Sequence, residues 1–182
     1  MEIKQSEFYA VILGALLHDI GKFVQRAQTN PMSQDHSHWG EEWFQDHLSE
    51  KLSSIFGGKE KQLIRSAIGN HHEYEKYISL ADAISAGMDR IAIKIDEEEK
   101  GDPFSDRLIS IFSKVSISKE PKPERYYKFA PLGKEQLQEI FPVEDKKCSP
   151  KEYAQLLTGF EKEIASVNFD NLSPQQIGRA HV

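Results

Sequence analysis

Between Tyr9 and Val24, apolar side chains stand at Tyr9, Ile12, Leu13, Leu16, Leu17, Ile20, Phe23 and Val24. Intervals of three and four are those of a helix. An apolar face this broad predicts a helix covered on most sides. Inside the stretch, Leu16-Leu17-His18-Asp19-Ile20-Gly21-Lys22 sets a histidine beside an aspartate. A carboxylate among such neighbours is costly to bury without a partner, and a cation is the natural one. Adjacent side chains on a helix point about a hundred degrees apart. The pair can therefore grip one metal ion from one side, or the carboxylate can bridge two. Lys22, four residues past His18, shares its face and is placed to reach a phosphate. Gly21 leaves room for another backbone to approach.

Further helices are expected around this one. Ser6 is placed to cap it, and Asn30-Pro31 to stop it. A second helix begins near Ser37, with Trp39, Trp43, Phe44, His47, Leu48, Leu52, Ile55 and Phe56 in helical spacing, and Gly57-Gly58 ends it. A third runs from Glu60 to Glu73, and a fourth from about Ile78 to Ile91. Residues 97–103 are a charged break. Arg107 to Val115 reads as strand or helix, residues 119–123 as a linker, Tyr126 to Phe129 as a short strand, and Lys134 to Phe141 as a short helix. Ser149-Pro150-Lys151-Glu152 is a strong helix start. Tyr153, Leu156, Leu157, Phe160, Ile164 and Val167 give that last helix one apolar stripe.

Asp82 repeats the oddity at Asp19, and His71-His72 stand near it. His71-His72 close the third helix, and Asp82 lies within Leu80-Ala81-Asp82-Ala83-Ile84. Taken singly, each has a plain reading. His18 is then a buried helical histidine bonded to a carbonyl, Asp19 a surface acid, and His71-His72 a pair at a helix dipole. Together in one small helical unit they favour a shared site. His36, at the mouth of its helix, can swing inward. His38 reads as surface and His47 as a core-edge histidine. Phosphodiester hydrolysis needs a nucleophilic water and neutralised phosphate charge, which divalent metals supply. A mixed nitrogen and oxygen donor set suits manganese, iron, cobalt, nickel or zinc better than magnesium alone.

Composition limits the alternatives. Hydrophobic residues are 38% and charged residues 29% of the 182, as in a soluble globular protein. The net charge is −6, from 29 acids against 23 bases. That argues against sequence-blind binding to duplex DNA through a broad basic surface, but not against a nuclease whose metal brings its own charge. The single cysteine, Cys148, permits no intrachain disulfide and suits a reducing cytoplasm. The polar start is no signal peptide, and no stretch is long enough to span a membrane.

His18-Asp19, then His71-His72, then Asp82 resembles the HD phosphohydrolase superfamily. No histidine precedes His18, so the motif order looks circularly permuted. That permutation resembles the N-terminal HD domain of the large subunit of type III-A (Csm-type) CRISPR-Cas effector complexes. So do Leu16 to Phe23, Ala81 to Arg90, Arg107 to Ser113 and Tyr126 to Leu132. The resemblance covers about residues 8 to 170. It implies a metal-dependent nuclease for single-stranded DNA, working with a guide RNA and other subunits and switched on when target RNA binds. It carries His18, Asp19, His71 and Asp82 over as metal ligands, with His72 and His36 beside them. Lys22 becomes a phosphate contact, and His18, Asp19 and Lys22 the catalytic set. It also implies one or two ions of manganese, nickel or cobalt. The family's Gly-Gly-Asp-Asp motif, which makes cyclic oligoadenylate, is absent here.

The expectation is therefore an all-α, HD-domain-like helical bundle over residues 1–118. A linker and helical segment at 119–176 begins a partial second α+β unit, leading toward a palm domain that this chain lacks. The last residues, 177–182, break the pattern and read as a foreign tail, so His181 is not counted as a ligand. Two other functions fit the same residues. One is a phosphohydrolase of small nucleotides, which needs a closed, nucleoside-sized pocket. The other is an assembly module with an idle site. The expected setting is cytoplasmic, with no membrane partner.

Overall fold

In a computed structural model of the chain, the helix expected from Glu7 through Val24 is two helices. α1 spans Gln5–Leu17 and α2 spans Ile20–Arg26. The interruption falls on His18-Asp19. His18 keeps helical angles, whereas Asp19, at φ −100° and ψ 4°, lies in the sparsely allowed bridge region where many active-site residues sit. The structure describes residues 4–31, 34–69, 80, 84, 102, 104–115, 123–131 and 142–179.

α1 does not take its cap from Ser6. Lys4 stands at the cap position, and the Ser6 hydroxyl donates to Glu60 Oε1 at 2.9 Å. Ala10, Leu13, Gly14 and Leu17 are buried, while Phe8, Val11 and Leu16 are about half exposed. The covered face is thus narrower than the sequence suggests. After α2, the buried Gln25 amide donates to the Pro31 and Gln34 carbonyls (2.8 and 3.0 Å), folding the loop back on the helix. α3 spans His36–His47 and is capped by Asp35, whose carboxylate accepts from the Ser37 amide.

α3 stops at His47, short of the expected Phe56. The chain continues as turns, including a 3₁₀ turn at Lys51–Ser54. Leu48, Leu52 and Phe56 nonetheless stay buried. Backbone bonds from Leu52 N to Leu48 O and from Phe56 N to Leu52 O keep their four-residue interval. Gly57-Gly58 is not a left-handed stop, since no described residue has positive φ. Gly58 instead opens α4, Gly58–Gly69.

α1 and α4 lie side by side and run in the same direction. Glu7 meets Lys59 and Ser6 meets Glu60 at one end, and Gly14 touches Ile64 and Ala67 farther along. α2 packs on α3, and α3 on α4. Phe44, Leu52, Phe56, Ile64 and Ile68 are fully buried in the shared core.

The later segment begins with extended chain and a one-turn helix, α5 (Ile111–Lys114), capped by the Ser110 hydroxyl. Residues 107–115 are thus extended first and helical after. Among the described residues there is no strand. Isolated antiparallel bridges join Asp106 to Lys147, Ile109 to Tyr126, and Tyr126 to Val143. Buried Arg107 ties this segment down, donating to Lys147 O at 2.9 Å and to Glu152 Oε1 at 2.6 Å. The expected helices at Ile78 to Ile91 and at Lys134 to Phe141 lie outside the described residues, apart from Leu80 and Ile84 of the first.

α6, Pro150–Ser166, starts on the expected motif. Ser149 and Glu152 form a reciprocal capping box, with Pro150 in the first turn. Its stripe does not stand apart from the bundle. Leu157 belongs to the main core, the Phe160 ring stacks on Trp43 at 5.7 Å, and Tyr153 meets Phe23 edge-on at 6.3 Å. A 3₁₀ turn at Phe169–Asn171 leads to α7, Pro174–Arg179, which packs on α1, with Ile177 against the core. No described helix is long and apolar enough to cross a membrane.

Candidate metal centre

The parallel run of α1 and α4 puts the end of α1 and the end of α4 at one pole of the bundle. The first turns of α2 and α3 meet there as well. Gly21 lies so close to α3 that a Cβ on it would overlap the His36 carbonyl oxygen and stand 2.7 Å from the Gly40 amide nitrogen. A Cβ on Gly40 would in turn meet Ile68 of α4 at 2.8 Å. His18-Asp19, His36 and the exit of α4 at Gly69 are thereby gathered at the same pole.

At the α1–α2 break, His18 Nδ1 lies 2.7 Å from the Ala15 carbonyl. A carbonyl only accepts, so Nδ1 carries the proton, and in the neutral ring the lone pair is on Nε2. Nε2 stands 3.6 Å from Asp19 Oδ2. This is the usual arrangement of a metal-binding histidine, whose second nitrogen is held by a backbone carbonyl. The carbonyl bond of the plain reading of His18 is thus present, made by Nδ1.

Asp19 corrects the expectation of a deeply buried acid. The break turns it outward, leaving its side chain 40% exposed. Its cation is Lys22, with Nζ 2.7 Å from Oδ1 and 2.8 Å from Oδ2. Lys22 was expected on the face of His18. Because the helix restarts at Ile20, it closes on Asp19 instead. A nitrogen donor, a carboxylate and a flexible ammonium are thus side by side, and the first two fit a divalent cation.

His36 opens α3. Its backbone abuts Gly21, and its Nδ1 is 3.1 Å from Asp35 Oδ1. Burial pushes the Asp35 carboxyl up, but hydrogen bonds from Ser37 and the charge of His36 outweigh it and hold the group below its ordinary value. His71, His72 and Asp82 lie outside the described residues. Among the described residues, no three His, Cys, Asp or Glu side chains come together as a metal group.

The remaining described histidines follow expectation. His38 is exposed and pairs with Glu42. His47 stacks on Trp43 at 5.4 Å, with Nε2 3.4 Å from Glu161. Cys148 is a packed thiol: burial raises its pKa, and Sγ lies 3.1 Å from the Ser105 carbonyl. Two contributors to the site had no expected role. The Ala15 carbonyl sits three residues before His18, a spacing any helix offers. Asp35 had the ordinary signature of a cap just ahead of the helix.

The chain is similar to known proteins. Over 187 aligned residues and 92% of its length, the chain is 30% identical to a protein of Methanocaldococcus jannaschii. That protein is described as "CRISPR system single-strand-specific deoxyribonuclease Cas10/Csm1 (subtype III-A)". The chain spans only 22% of that relative's length. No solved structure matches it. The HD domain family model matches residues 5–109, which hold the entire pole described above. This chain belongs to the HD domain family.

Proposed function

We propose that this chain is the metal-dependent nuclease domain of a type III-A CRISPR large subunit, cutting single-stranded DNA as part of a guide-RNA complex with other subunits. The observation that carries the reading is the gathering of His18-Asp19, His36 and the α4 exit at one pole, in a chain similar to a single-strand-specific deoxyribonuclease. His71 and His72 follow Gly69, the last residue of α4, by two and three positions.

His18, Asp19, His36, His71, His72 and Asp82 would hold one or two divalent ions, with manganese, nickel or cobalt suited to such donors. A bound ion supplies a water activated at neutral pH and withdraws charge from the phosphate. The chain's own residues set the geometry. The Ala15 carbonyl holds the His18 ring in one tautomer. The bridge-region backbone at Asp19 aims its carboxylate beside that ring. Lys22, on a flexible four-carbon stem and within 2.8 Å of Asp19, would be in reach of a phosphate oxygen brought to that carboxylate. The 40% exposure of the Asp19 side chain suits an extended strand better than a closed nucleoside pocket.

The deciding assay uses the whole chain, stripped of metal and then supplied with Mn²⁺, on single-stranded DNA and on nucleoside triphosphates, beside Asp19→Ala. Metal-dependent cutting of the strand, lost in Asp19→Ala, is the expected result. Turnover of nucleotides alone would replace the reading with a small-molecule phosphohydrolase. Absence of both cutting and Mn²⁺ binding would leave an assembly module.

A further inference from the structure

The contact between α2 and α3 is closer than helix packing requires. Helix axes ordinarily lie about 8–10 Å apart, at a distance set by the side chains between them. Here, at the first turns, there is no side chain between them. Gly21 lies over the His36 carbonyl and the Gly40 amide, which are four residues apart and so form a helical hydrogen-bonding pair. Gly40 faces back: a Cβ there would stand 3.2 Å from Gly21 N and 3.3 Å from Gly21 Cα. Neither glycine has a positive φ. Backbone conformation therefore does not demand glycine at either position, and only the close approach does. Gly58, by contrast, would meet nothing within 4 Å.

This approach lies two residues after Asp19 and at the very residue that carries the His36 ring. We propose that Gly21 and Gly40 are positioning residues. By admitting backbone-to-backbone contact, they set the distance between the His18-Asp19 turn and His36, and so the affinity of the centre for its ion. The proposal rests on the metal reading given above. It adds that the mutual spacing of α2 and α3, and not only the donor side chains, determines binding. A methyl group on Gly21 has no flexible side chain to displace. It must push the start of α3, and His36 with it, away from the turn. On Gly40 the same group first meets the Ile68 side chain, which can give way, so its effect is smaller.

The test is Mn²⁺ binding by isothermal titration calorimetry on the whole chain, with thermal melting of each variant alongside. Disturbing groups that orient metal ligands typically weakens affinity about 10–100-fold, and Gly21→Ala is expected to fall in that range, with Gly40→Ala below it. In a His36→Ala background, Gly21→Ala should add little, because its effect passes through His36. Phe56→Leu is the control for destabilisation alone. Phe56 lies two residues before the start of α4, at the pole opposite His18, so this variant should melt lower and bind Mn²⁺ as the parent does. The proposal is overturned if folded Gly21→Ala binds Mn²⁺ like the parent. It is equally overturned if its loss adds in full to that of His36→Ala, or if Phe56→Leu loses affinity to the same extent. Should Gly21→Ala not fold, Gly40→Ala decides by the same comparisons. A parent chain that binds no Mn²⁺ removes the metal reading itself, and this proposal with it.

Discussion

Lys22 holds Asp19 by a short ion pair. An ion and an ammonium then compete for one carboxylate, and like charges so close repel. Lys22→Gln should therefore bind Mn²⁺ more tightly than the parent while cutting DNA more slowly. Removing one preorganised donor commonly costs about 10²–10³ in rate. Calorimetry and single-turnover cleavage, measured together, check the opposed signs; a fall in both would mean that Lys22 only supports the fold. Asp35 makes a second residue-scale prediction. Its lowered pKa means that the unfolded chain takes up its proton first as pH falls. Its contribution is whole above the ordinary carboxylate range, about pH 4, and is lost as pH drops through the lower folded value. Asp35→Ala should cost about 1 kcal/mol as a lost helix cap. Urea midpoints at pH 7 and pH 3 should differ less for the variant than for the parent.

At the scale of elements, the ends of helices matter more than their interiors. The Ser149–Glu152 capping box also fixes Glu152 as the acceptor for buried Arg107. Glu152→Ala therefore removes a cap and leaves a buried guanidinium with the more distant Asp145 carboxylate, at 4.0 Å. Unpairing a buried charge is strongly destabilising, about 3–5 kcal/mol. Half-exposure of the Glu152 carboxylate places this case at or below the low end. Ser149→Ala removes the cap alone and should cost about 1 kcal/mol. Chemical denaturation of the two variants separates the contributions; equal losses would show that Arg107 finds another partner.

For the whole molecule, α6 is part of the bundle, not an appendage to it. Leu157 sits in the same core as Leu17, Val24, Phe44 and Ile68. Leu157→Ala should cost about 2–5 kcal/mol, the range for a core leucine, and should lower one cooperative transition for the entire chain. A small loss with a separate early transition, seen by differential scanning calorimetry, would show that α6 unfolds independently. α6 also caps the outer side of α2 through Tyr153 and Phe160. Damage there therefore reaches the helix that begins immediately after Asp19.

How much of this was legible in the sequence follows from how far each cause reaches along the chain. His18-Asp19 stood out because an acid in an apolar run is a local anomaly. The start of α6 was legible because serine, proline and glutamate meet all its needs within four residues. Helical spacing marked Leu48, Leu52 and Phe56 as inward, and they are buried although α3 has already ended, since a succession of turns can preserve the same interval. The break after Leu17 was not legible. The helical spacing of apolar residues runs through it without interruption, and what divides α1 from α2 is that one packs along α4 and the other against α3. For the same reason the sequence placed Lys22 with His18, whereas the bent chain gives it to Asp19. By itself, then, the sequence determined an all-helical HD domain and marked His18-Asp19 as the anomaly within it. Only the tertiary structure decided which chain ends meet at the pole, because that depends on contacts such as Gly21 with His36, between residues that share no local pattern.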